Sequence, residues 1–140
     1  MTEHERTGTA EAAVCAYYDA LAAGDPLGPF FGDGEIVKFG ISETLVGGEA
    51  VREGLREQSR TTADWTVDSE ALGVTEREGH AWFSDRVAMA WTDTDRDVDR
   101  AFDTRWSGTL ERRAENGDPS TAPDAPWQFV GMHVSTPGEL

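Results

Sequence analysis

Arginine and tryptophan supply the clearest chemistry in this sequence. Arg52 directly follows Val51, so on a helix whose apolar stripe is Val51 and Leu55 it sits beside that stripe. On one strand Trp82, Ser84, Arg86 and Ala88 share a face; on the next, Phe102, Thr104, Trp106, Gly108 and Leu110 share one. With both faces turned inward, the guanidinium groups of Arg52 and Arg86 meet the indoles of Trp82 and Trp106 in one hollow. Guanidinium forks match a carboxylate bidentately and indoles give flat apolar walls. The expected ligand is a small organic anion or an aromatic compound. Tyr18, Phe39, Met132 and Val134 complete the expected lining. In the competing reading each arginine pairs with a neighbouring acid, Arg86 with Asp85 and Arg52 with Glu49 or Glu53, and no ligand is needed.

Other reactive types lack partners at a useful spacing. His133 stands alone on the last strand, and His4 and His80 have no second histidine at metal-ligand spacing. Asp93, Asp95, Asp97 and Asp99 alternate like a calcium loop. The sixth and twelfth positions, however, are Val98 and Thr104 instead of Gly and Glu, so a solvated hairpin tip is the expectation. Cys15 is the single cysteine and falls among small helical residues, which reads as a packed, inert thiol, and no GxSxG is present. Neither a metal nor a cofactor is expected.

The elements that must position these residues follow from periodicity. Val14, Tyr17, Tyr18 and Leu21 mark one face of a helix that starts after Thr9 and stops at Gly24. Residues 27–31 read as a helical turn, 35–39 as a strand and 48–61 as a second helix, with Glu49/Arg52, Glu53/Arg56 and Glu57/Arg60 paired on its wet sides. The period then shortens to two. Residues 65–76, 80–92, 100–113 and 127–135 read as strands, separated by turns at 78–79, 93–99 and 114–126. Helices followed by long strands predict an α+β fold. The expected form is a cone-shaped barrel, a strongly curved antiparallel sheet of four main strands plus short N-terminal ones around two to three helices. Its open mouth is a natural pocket. Residues 1–8 and 137–140 read as tails around one domain over 9–136. On the last strand Trp127, Phe129 and His133 fall on one face and Val130, Met132 and Val134 on the other. A strand apolar on both sides needs cover on both, which predicts a homodimer through the sheet face.

Composition narrows the partners. The chain has 140 residues, 12 Lys and Arg, 27 Asp and Glu and a net charge of −15, so it repels nucleic acid and anionic membranes. No window approaches a membrane span and the first residues carry no apolar run, which predicts a cytoplasmic protein. Leu, Ile, Val and Phe make only 25 of the 140 residues, but five tryptophans argue for a folded core. Lys38 is the sole lysine; the other eleven cations are arginines. An acidic surface nearly free of lysine looks like that of a salt-accumulating halophile, since molar salt screens self-repulsion within about 3 Å.

The segments at 13–25 (AVCAYYDALAAGD), 45–55 (LVGGEAVREGL), 80–89 (HAWFSDRVAM), 109–113 (TLERR) and 127–137 (WQFVGMHVSTP) together resemble a SnoaL-like domain. That family lies in the nuclear transport factor 2-like superfamily, with ketosteroid isomerases, scytalone dehydratase and the association domain of calmodulin-dependent protein kinase. The resemblance implies a cone-shaped fold and, in many relatives, sheet-face dimers. It places Tyr17 where isomerases carry an oxyanion tyrosine, and it puts Phe39 where they carry the carboxylate base. It puts Arg52 and Arg86 at pocket positions, and His133 where relatives often have two histidines, the first of which is Gly131 here. Three functions follow as expectations: a small-molecule-binding domain with no assigned reaction; a metal-free isomerase, dehydratase or cyclase using Tyr17, with His133 a further candidate; or an oligomerisation module.

Overall fold

The computed structural model describes residues 8–138. The tails expected at 1–8 and 137–140 therefore lie mostly outside the described residues. Gly8 is held in place, its carbonyl accepting from Arg112 Nη2 and Trp127 Nε1, each at 3.1 Å.

Helix α1 spans Ala10–Ala23. Thr9 caps it, its hydroxyl accepting from the Ala12 N–H at 3.1 Å. Gly24 ends it at a left-handed φ of 75°, and Asp25 N–H returns to the Ala20 carbonyl at 2.9 Å. A short 3-10 turn, Gly28–Phe30, leads to strand β1 (Val37–Phe39) and β2 (Thr44–Val46). Helix α2 spans Gly48–Thr61, followed by β3 (Thr62–Ser69), β4 (Gly73–Glu76), β5 (His80–Asp93), β6 (Val98–Arg112) and β7 (Trp127–Ser135).

The strands form one seven-stranded sheet in the order β2-β1-β7-β6-β5-β3, with β4 also on β5. It is mixed rather than antiparallel, because β1 runs parallel to β7. It is open rather than a closed barrel, with β2 and β3 at its ends. The stretch expected as one strand over 65–76 is two, since residues 70–72 leave the ladder and both pieces pair with β5. Two α-helices cover the inner face. Val14, Leu21, Val51, Leu55, Val87 and Leu110 meet there with almost no exposure, burial worth about 2 kcal/mol per side chain. No helix among the described residues is long and apolar enough to cross a membrane.

Two bulges decide which side chains face that core. On β7 the register slips between Thr109 and Leu110, leaving Val130 as the extra residue. The parity flips there, so Trp127, Phe129, Met132 and Val134 all face inward and His133 faces out. The strand is not apolar on both sides, and that reason for a second sheet over its outer face disappears. On β3 the register slips between Ala63 and Thr66; Asp64 takes a left-handed φ of 56°, and Trp65 turns toward the helices.

Candidate functional site

On β5 the inward residues are Phe83, Asp85, Val87 and Met89. The face expected to look inward, with Trp82 and Arg86, is the solvent face: Trp82 is 44% exposed, and Arg86 sits opposite Arg105. Trp82 lies against the His80 ring and under the Arg77 guanidinium. On β6 the inward face is the expected one, with Thr104, Trp106 and Leu110 buried. On β1 the expectation is one residue out of step. Ile36 and Lys38 point inward, while Phe39 is 41% exposed and packs edge-on to His133 at 5.9 Å. Arg52 also lies outside, its Nη1 2.6 Å from the Asp33 carboxylate. The two guanidinium groups do not meet in a hollow.

The hollow itself exists, with a volume of about 300 Å³, at the small end of small-molecule sites. It lies between α1, the β1–β2 loop, the last turns of α2 and the near ends of the long strands. Tyr17, Trp106 and Val134 line it; Tyr18, Met132, Phe39, Trp82, Arg52, Arg86 and His133 do not. Met132 is packed in the core. Tyr18 is held deeper, donating to Asp85 Oδ2 at 2.9 Å. Asp85 also accepts from Ser69 Oγ at 2.6 Å and from the Ala71 N–H at 2.9 Å. Burial first, and the Asp85 bond second, hold the Tyr18 hydroxyl protonated well above its ordinary range.

The walls of the hollow are indoles. Trp65 and Trp91 stack at 4.6 Å between centroids, and Trp106 meets Tyr17 edge-on at 6.1 Å. Two of the indole N–H groups are already used, Trp65 on Thr62 Oγ1 at 2.8 Å and Trp106 on Thr104 Oγ1 at 2.9 Å. These rings therefore offer carbon surface to a ligand rather than donors.

Its polar end holds residues that the sequence reading did not select. Lys38 is 5% exposed, and its Nζ contacts Glu43 Oε1 at 2.5 Å. Gly40 makes this possible, because a Cβ there would lie 2.6 Å from Glu43 Cγ. No other acceptor for the ammonium occurs among the described residues, so two of its three N–H donors remain for the cavity. The Tyr17 hydroxyl has no hydrogen-bond partner among the described residues, yet no sealed side-chain polar atom there is left unpaired. That oxygen is therefore not sealed, and Tyr17 lines the hollow. Burial, then the nearby Glu43 charge, raises its pKa and keeps it a donor. The signal available in the sequence was compositional: one lysine in an arginine-rich chain, alternating with Ile36 on the inward face of a short strand.

Among the described residues no cluster of three or more His, Cys, Asp or Glu is placed to hold a metal. At the 93–99 turn, Asp93 accepts instead from the Asp95 and Arg96 N–H groups and pairs with the Arg96 guanidinium. Cys15, expected to be packed, is on the exposed side of α1.

No family model and no curated protein matches the sequence. Solved structures do. A nuclear transport factor 2-like superfamily protein from Salmonella enterica serovar Typhimurium is 16% identical, with a TM-score of 0.75 over 99% of this chain and 95% of that one. A protein from Streptomyces avermitilis, named as a dehydratase of the nuclear transport factor 2-like family, is 13% identical, with a TM-score of 0.76 over 99% and 100%. A ketosteroid isomerase-like protein from Erwinia carotovora atroseptica is 18% identical, with a TM-score of 0.68 over 92% and 94%. The chain has the nuclear transport factor 2-like fold. At these identities the likeness reaches the fold and stops before the chemistry.

Proposed function

We propose that the chain binds a small aromatic carbonyl compound in the cavity between α1, α2 and the sheet. One observation carries this reading: an unpartnered tyrosine hydroxyl and a buried ammonium with spare donors share a hollow walled by three indoles. The donors suit an electronegative oxygen, and the indoles suit a flat ring. A carboxylate fits less well, because Glu43 already neutralises the Lys38 charge and Glu57 also lines the space. The anion expected from the sequence depended on Arg52 and Arg86, which lie elsewhere.

Titration of tryptophan fluorescence with acetophenone, acetonaphthone, benzoate and naphthoate tests the reading. The ketones should quench saturably, the carboxylates about tenfold more weakly. Tyr17→Phe should weaken ketone binding by roughly tenfold, the worth of one hydrogen bond of about 1.4 kcal/mol. Tighter binding of the carboxylates, or no saturable quenching by either class, overturns it.

A second reading, chemistry next to that carbonyl, is supported by Glu43. It supplies at the cavity the carboxylate that the sequence could not locate at Phe39. A fixed carboxylate beside a hydroxyl donor can exchange the protons next to a carbonyl. Deuterium exchange into acetophenone, lost in Glu43→Gln and in Tyr17→Phe, is the expected outcome. No exchange above buffer sinks this second reading and leaves the first standing.

A further inference from the structure

The one lysine of the chain is its only side-chain amine, and it is buried at the polar end of the cavity. Elsewhere every cation is an arginine. Arginine, charged at any ordinary pH, forms no Schiff base with a simple aldehyde or ketone; a primary amine does, once it gives up a proton. Lysine at this position is thus the one departure from the chain's choice of cation, and it lines a hollow walled by indoles.

We propose that Lys38 captures the carbonyl ligand covalently, as an imine on Nζ. This rests on the reading that the cavity binds an aromatic carbonyl compound. Glu43 Oε1, 2.5 Å from Nζ, is placed to take one proton from the ammonium. The freed amine lone pair then forms the N–C bond to the carbonyl carbon, while the C=O electron pair moves to oxygen. The Tyr17 hydroxyl, open to the same space, donates a hydrogen bond to that oxygen as charge collects on it. Proton transfer from nitrogen to oxygen gives the neutral carbinolamine. The Glu43 acid then returns its proton to the hydroxyl, which departs as water as the nitrogen lone pair closes the C=N bond. The net change is ammonium plus carbonyl giving iminium plus water; no oxidant or reductant enters. The iminium keeps the positive charge of the lysine, so the pairing with the Glu43 carboxylate survives capture.

Reductive trapping tests this on the 140-residue chain. Native protein is incubated with benzaldehyde and sodium cyanoborohydride, and intact mass is followed together with cleavage by a lysine-specific protease after denaturation. That protease cuts this chain at Lys38 alone, so capture reads as loss of the cut, separately from labelling at the amino terminus. The expected result in the native protein is one ligand more than Lys38→Arg takes up, together with loss of the cut. Protein unfolded in urea before reduction should keep the cut at the same reagent concentration. Lys38→Arg, which retains the charge, should show only amino-terminal labelling. Glu43→Gln should slow capture about tenfold or more, as expected for loss of a positioned proton acceptor. Native protein that binds benzaldehyde by fluorescence but keeps its cut overturns the imine and leaves the binding reading intact. An absence of both binding and capture overturns the two together.

Discussion

Tyr17 and Tyr18 are neighbours on α1, both almost fully buried, and their hydroxyls meet opposite fates. Tyr18 ends on Asp85, which gathers two further donors and closes one side of the interior. Tyr17 passes between Phe30, Phe31 and Phe129 and comes out at the cavity with its hydroxyl unspent. One side of the fold uses its polar groups up; the other keeps a hydroxyl and part of an ammonium in reserve. A polar group held back in this way lowers stability and is retained where something else binds it.

The contrast can be broken most forcefully at Asp85. Asp85→Ala strands the Tyr18 hydroxyl, the Ser69 hydroxyl and the Ala71 N–H at once. We expect a loss of about 3 kcal/mol in urea unfolding, since each buried donor left unmade costs about 1 kcal/mol or more. At the cavity the expectation reverses. Lys38→Met should weaken ketone binding by roughly tenfold to a hundredfold, about 1.5–3 kcal/mol of charge-assisted hydrogen bonding, while urea unfolding changes by less than about 1 kcal/mol, because the Glu43 carboxylate, 34% exposed, reaches water once unpaired. A large fall in stability with binding retained would erase the distinction between the two sides.

Alkaline titration sharpens it. Both tyrosines ionise in the folded chain only well above their ordinary value of 10.0. The folded state therefore binds more protons than the unfolded chain once pH passes that value. The stability this gives is complete below it and is lost as pH rises further, by about 1.4 kcal/mol per pH unit for each tyrosine. Tyr17→Phe should remove one share of that slope. A slope unchanged by the substitution would place the hydroxyl in contact with bulk water. The smallest effects should come from Arg52→Ala and Arg86→Ala, which we expect to change ketone affinity by less than about twofold, as for surface positions away from the site. A larger loss in either would restore the anion pocket that the sequence suggested.

Much of the fold was legible, because caps and periodicity are local signals. Thr9 and Gly24 bound α1, and the 48–61 stripe marked α2. The seven-stranded count and the parallel β1–β7 pairing were not, since pairing partners lie far apart in the chain. The site was legible in part: Tyr17, Trp106 and Val134 reach the cavity. Tyr18 and Met132 are spent within the core and Arg52 lies on the outer side of its helix, while the strand residues Phe39, Trp82 and Arg86 fail on parity. A period of two leaves two choices of face, and nothing local to a short strand chooses between them. On β1 the resemblance points to Phe39, the position of the isomerase base, and the inward residue is its neighbour Lys38. On β5 the Trp82–Arg86 face has the residue types of a pocket wall, yet Phe83 and Asp85 are the residues turned inward. On β7 the extra residue at Val130 reversed the faces midway, and no local signal in GMHVS announces it.

Lysine-specific isotope labelling gives the most direct measurement of the central claim, because a chain with one lysine yields one ε-ammonium resonance. Acetophenone should change that resonance, by a shift on binding or by its replacement on capture, along a saturable curve with the same midpoint as tryptophan quenching, and Tyr17→Phe should move both midpoints together. A resonance that stays in place while the tryptophans are quenched would contradict it, for the ligand would then bind away from Lys38.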